Sequence, residues 1–302
     1  MAALPHNLQT TPAFTASDFA VLLGLRESAA PGAQIPEGNE YARTSRMDLY
    51  LRRNRQDSGE QQSVIWAKFC AQYLPATVER CINLPFPADW DPNAVEDFLL
   101  DNAWMNMLVA VQHTPYFNRY FRSSSPVADP GKRFPQVLAE RFLTLAPRLE
   151  HEISRSSPGH PGRQERSKFV AAKSLLILGT LLRLSRLEPR VLLPRQLVAR
   201  LSSFLRRWKT RHHGVFLGAI SGRLHFFITA RIPRPSPAPD PPSEPPVKPM
   251  RKPCSLPSCP VRDNLQTCGR CRTVRYCCID HQRAHWEHPG GEHKLKCHET
   301  LY

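Results

Sequence analysis

Eight cysteine and histidine residues fall in four ordered pairs: Cys254-x4-Cys259, Cys268-x2-Cys271, Cys277-x3-His281 and His293-x3-Cys297. Thiolate sulfur and neutral imidazole nitrogen are good zinc donors, and a structural zinc ion takes four of them in a tetrahedron. Eight donors therefore suffice for two ions. A two-residue gap lets one turn present both thiols to one metal, while a three-residue gap suits one face of a short helix. The first two pairs sit in loop-like sequence, residues 253–260 and 267–271, and the later two in stretches with helical character, 278–286 and 292–298. Seven of the nine cysteines lie between Cys254 and Cys297; only Cys70 and Cys81 lie outside. Cys278 is out of phase with the pairs and reads as a spare thiol. His285, His288 and His298 read as solvent-facing or as neighbours of the ligands, and spacing leaves His288 and His293 as competitors for one position.

The same cysteines in a secreted protein would form a disulfide framework. Met1-Ala-Ala-Leu-Pro-His-Asn7 carries no basic stretch and no long apolar run, so no secretory signal is read there. The expectation is an intracellular protein, in nucleus or cytoplasm, whose reduced thiols bind metal. Four protein donors around each ion leave no position for water, so the zinc is expected to be structural and not a Lewis acid. A segment of about fifty residues buries too little apolar surface to fold securely alone. Each zinc contributes on the order of 10 kcal/mol of apparent binding free energy at neutral pH.

The run Cys268-Gly-Arg-Cys-Arg-Thr-Val-Arg-Tyr-Cys277, followed by Gln282, His285-Trp286 and His293-Lys-Leu-Lys-Cys297, resembles a MYND-type zinc finger. The resemblance is confined to residues 254–297. It implies two Zn2+ ions held in an interleaved way, with Cys254, Cys259, Cys277 and His281 on the first and Cys268, Cys271, His293 and Cys297 on the second. Tyr276 and Trp286 match the aromatic positions that pack this small module. The family binds short proline-containing peptides in a shallow groove, and Gln282 and Trp286 match its groove positions. Protein partners bearing such motifs are thus implied, and a preordered polyproline segment loses little entropy on docking. Three departures stand out: the first pair is spaced x4 where x2 is usual, His281 replaces a cysteine, and residues 287–292 lengthen the usual Trp-to-His spacing. The chain itself contains no Pro-x-Leu-x-Pro sequence.

Ahead of these residues, Pro233 to Pro249 places nine prolines in seventeen residues, a composition that builds a solvated spacer and not a core. The expected organisation is a partly disordered segment over 1–60, a mainly helical domain of unknown role over 61–232, a proline-rich linker over 233–252 and the finger over 253–302. Helices are predicted near 17–25 and over 95–111, with Asp91 or Asn93 as cap. Others are predicted over 136–153 (bent or divided at Pro147), 168–187 and 195–211; residues 215–229 suit helix or strand. No Asn-Gly or Asp-Gly turn separates alternating strands, so the fold class is mainly α, with a small irregular two-zinc finger. The most apolar run, 174–182, is too short to span a bilayer, and no transmembrane segment is read.

Charge is uneven. Residues 155–235 hold 17 Lys and Arg against Glu165 and Glu188. Within them, 195–211 alternates apolar and basic residues, which predicts a basic amphipathic helix. It suits nucleic acid or another anionic surface, or a core-facing helix with solvated arginines. The finger's own basic residues are few, and it lacks a long reading helix between ligand pairs, so direct DNA reading by it is not expected. A SET-type methyltransferase is the enzymatic alternative, since some carry such a finger. However, neither a Gly-x-Gly cofactor turn nor an Asn-His-Ser-Cys segment occurs. Phosphate-cradling Gly-Lys-Ser or Gly-Lys-Thr loops and a Gly-x-Ser-x-Gly elbow are also missing. The sequence reading is a zinc-binding protein-interaction (adaptor) protein and not an enzyme.

Overall fold

The computed structural model describes residues 14–27, 39–54, 59–84, 98–154, 161–185, 189–230, 253–288 and 292–302. It is mainly α. The helical body comprises α1 (Ala16–Leu22), α2 (Glu40–Asn54), α3 (Gly59–Ile82), α4 (Ala103–Val111), α5 (Pro115–Arg122), a 3-10 turn (Pro126–Ala128), α6 (Asp129–Ser154), α7 (Pro161–Leu184), α8 (Pro189–Leu192), α9 (Arg195–Arg211) and α10 (Phe216–Ala230). In the finger, β1 (Gln266–Thr267) pairs antiparallel with β2 (Arg275–Tyr276), ahead of α11 (Ile279–Glu287) and α12 (Glu292–Lys296). The predicted proline-rich linker lies outside the described residues.

Several helix ends in the body are closed by side chains. Thr15 and Asp18 form a reciprocal capping box at the start of α1. The α1 carbonyls that face away from their own helix are taken by distant residues: Arg43 Nη1 donates to the Leu22 carbonyl (3.0 Å) and Trp104 Nε1 to that of Leu23 (3.1 Å). Gly24, at φ +65°, closes this end, and a Cβ there would lie 2.9 Å from Arg43 Nη1. Similarly, Arg141 of α6 donates to the last carbonyls of α3, Cys81 and Ile82, at 2.6 Å each.

Three sequence expectations are refined by the described residues. Residues before 61 are part of the body wherever they are described: Phe19, Leu22, Leu23 and Met47 are buried in the common core. The helix expected over 95–111 is interrupted, because Asn102 turns the chain and caps α4, its Oδ1 accepting from Met105 N (2.8 Å). The proposed caps Asp91 and Asn93 lie outside the described residues. Pro147 also fails to divide α6, which runs through both Pro135 and Pro147. The cost of each missing N–H is offset there by a buried stripe that includes Phe142, Ala146 and Leu149.

The α7 helix is buried over most of Val170 to Leu184, and Lys173 within it is 5% exposed. Its ammonium donates to Asp101 Oδ1 (2.6 Å) and to Asn106 Oδ1. Burial works to raise the Asp101 carboxyl, but Lys173 and Arg166 outweigh it and hold Asp101 below its usual range. The α9 helix spans the residues predicted for it, and its six large apolar residues, Leu197, Val198, Leu201, Phe204, Leu205 and Trp208, face the core. Residues 215–229, open between helix and strand in the sequence, are helical from Phe216. The finger lies against α3 and α5 of the body.

Candidate metal centre

Local backbone geometry builds the four pairs. The first loop folds back on itself, with Cys254 N donating to the Val261 carbonyl (2.7 Å) and Cys259 N to that of Leu256 (3.0 Å). That bonded turn lets an x4 spacing bring both thiols to one point. The second pair sits at the tip of the β1–β2 hairpin. There Arg272 takes a left-handed φ of 53° and donates its N–H to the Cys268 carbonyl (2.9 Å). Cys277 lies just ahead of Cys278, the cap residue of α11, and His281 lies in the first turn of that helix; His293 lies on α12 and Cys297 directly follows it. The first turn of α11 carries His281 back to Cys277, and one turn of chain from His293 brings Cys297 to the same ligand group.

The side chains gather into two groups: Cys254, Cys259, Cys277 and His281 (centre one), and Cys268, Cys271, His293 and Cys297 (centre two). Within each, the ligand atoms all lie within 4.8 Å of one another. In centre one, Cys259 Sγ is 3.7 Å from Cys277 Sγ, and His281 Nδ1 is 3.0 Å from Cys277 Sγ and 3.8 Å from Cys254 Sγ. In centre two, Cys268 Sγ is 3.9 Å from Cys297 Sγ and Cys271 Sγ is 3.5 Å from His293 Nε2. Zinc–sulfur bonds of about 2.3 Å in a tetrahedron place sulfurs about 3.8 Å apart. The donor sets thus fit two zinc ions in both kind and spacing.

Competition between His288 and His293 is resolved by position: His293 is in the group, while His288 is exposed at the end of α11. Cys278 belongs to neither group and starts α11 as its cap residue. His285 stands beside the ligands: the Tyr276 hydroxyl lies 2.7 Å from His293 Nδ1 and 2.9 Å from His285 Nδ1. With Nε2 committed to metal, His293 Nδ1–H donates to Tyr276, whose own proton then points to His285. Tyr276 is buried, as its packing role requires.

Electrostatics of the thiols favour a cation at both centres. At centre one, burial works to raise Cys254, but backbone N–H groups of Leu256 and Cys277 and the neighbouring His281 and Cys259 lower it to about 7. Burial and the neighbouring thiols push Cys277 up to about 12. Centre two repeats the pattern: Cys271 is lowered by hydrogen bonds that include the Thr273 hydroxyl, despite burial, and Cys297 is pushed up to about 12. In each group one thiol is shifted toward thiolate and another away from it, and a dication would favour the thiolate at both. In contrast, Cys70 and Cys81 sit in the apolar core, where burial raises both to about 12.

Gln282 and Trp286 lie one turn apart on α11, both half-buried. Gln282 Nε2 approaches Cys268 Sγ at 4.0 Å, and the Trp286 ring meets that of His293 edge-on, with centroids 5.4 Å apart. Both side chains therefore line the α11 side of centre two.

Residues 254–297 match the family model described as MYND finger. No curated protein and no solved structure matches the chain. Residues 254–297 are a MYND finger, a zinc-binding module that mediates protein interactions, and the two side-chain groups above supply its ligands.

Proposed function

We propose that the chain is an adaptor whose MYND finger docks short proline-containing peptides of partner proteins beside centre two, on α11. The observation that carries this reading is a pair of complete four-donor sets supporting a helix that leaves Gln282 and Trp286 half-exposed. Such a surface offers an aromatic face and an amide to a preordered polyproline strand. The metals act by holding the loops and α11 in place, since four protein donors leave no coordination site for a substrate. The proposal assigns no catalysis to the chain. Its nine cysteines suit the reducing poise of nucleus or cytoplasm, and no described helix is long and apolar enough to cross a membrane. Titrating the full chain with a library of proline-rich peptides tests the reading. A peptide hit should weaken at least tenfold in Trp286→Ala with two zinc ions retained, and equal binding by that variant would refute the groove.

A second reading concerns α9 and α10. Arg195, Arg200, Arg206, Lys209 and Arg223 are exposed, with no carboxylate partner among the described residues. Phe216 and Phe226 are exposed on the same hairpin. This surface suits a polyanion. Binding to generic nucleic acid that falls steeply with salt supports it, whereas no binding at low salt removes it.

A further inference from the structure

The finger is attached to the helical body by more than chain connectivity. The Tyr116 hydroxyl, on α5, donates to the Lys296 carbonyl (2.6 Å) and accepts from His298 N–H (2.7 Å). One phenol thus grips the backbone on both sides of Cys297, a donor of centre two. Farther along, the Tyr302 ring is 2% exposed and packs edge-on against Tyr120, with centroids 5.1 Å apart. Its hydroxyl donates to the Cys70 carbonyl within α3 (2.8 Å). Arg119 Nε donates to the Tyr302 main-chain oxygen (2.6 Å), and Ser125 Oγ to the Leu301 carbonyl (3.3 Å).

We propose that the α3–α5 face of the body is a docking site for residues 296–302, and that zinc at centre two holds this segment in register. The inference rests on zinc occupancy of the finger. Five polar contacts to one short extended stretch, plus a buried tyrosine, make a specific seat. The entropy of ordering that stretch is the opposing term. Metal at Cys297 removes much of that cost in advance, because the residue between the two Tyr116 contacts is already fixed. Without the metal the segment must be ordered by the seat alone, so α3 and α5 lose cover when centre two empties. Centre one has no ligand in this segment, and its emptying leaves the seat filled. The finger consequently presents α11 at a fixed orientation to the body, instead of on a free tether.

Hydrogen exchange on the full chain, with zinc counted by native mass spectrometry, tests this. Cys297→Ser, or chelation of both ions, should speed amide exchange in residues 66–74 and 115–122 about tenfold or more. His281→Ala should lose one zinc and leave those residues protected. Tyr116→Phe, a near-isosteric change that avoids a folding defect, should keep both zincs yet exchange faster in residues 296–302. Two zincs in the wild type with body protection unchanged by chelation would overturn the docking site alone. A wild type with fewer than two zincs would overturn the metal reading beneath it. Equal loss of protection in His281→Ala and Cys297→Ser would also sink the assignment to centre two.

Discussion

The two metal centres use the same inventory, three cysteines and one histidine, in different settings. All four donors of centre two are buried, whereas Cys277 and His281 of centre one are only half-buried. Centre two has Tyr276 hydrogen-bonded behind its histidine and the Thr273 hydroxyl on Cys271. It also has the helical body on the far side of Cys297. Centre one rests mainly on its own loop, tied to β2 through Ser255 and Arg275. Identical ligands thus yield a centre integrated with the main core and another confined to the finger. A metal site's structural weight depends on what its neighbours make of it.

The largest expected effect comes from breaking centre two at its most buried donor. Cys271→Ser should reduce the zinc count to one. It should also lower the thermal midpoint of the whole chain by several degrees, reflecting loss of a site worth on the order of 10 kcal/mol in binding. Cys254→Ser should also lose one zinc but move that midpoint much less; calorimetry on both variants makes the comparison, and equal shifts would erase the distinction drawn here. A smaller effect is expected at Tyr276, whose hydroxyl orients His293. Tyr276→Phe should keep the fold and weaken one of two zinc affinities about 10–100-fold, read by competition with a chromophoric chelator. If both affinities fall together, the hydroxyl is not specific to centre two. The smallest effect is assigned to the thiol outside both groups: Cys278→Ser should retain two zincs, with stability within about 0.5 kcal/mol of wild type by urea denaturation.

Much of the metal site was legible because ligand chemistry is local. Spacing alone paired Cys268 with Cys271 and Cys277 with His281, and the interleaving implied by the MYND resemblance matches the two observed groups. Spacing left His288 against His293 open, since that choice depends on where the chain turns after α11. In the body, α9 was legible from its alternating apolar and basic residues. By contrast, the place of α1 and α2 in the core depends on Arg43 and Trp104 reaching carbonyls elsewhere, contacts with no sequence period. Asn102 looks like any polar residue within an apolar run until its amide is seen capping α4. The seating of Tyr116 and Tyr302 was equally invisible, because their hydroxyls bond to backbone atoms that every residue possesses.

The central claim is that one chain carries two zinc ions on eight specific donors. Native mass spectrometry of the 302-residue chain, beside His281→Ala and Cys271→Ser, tests it most directly. Two ions are expected in the wild type and one in each variant, with the retained ion held more tightly in His281→Ala. A wild type carrying one ion or none, or a variant that still carries two, would contradict it.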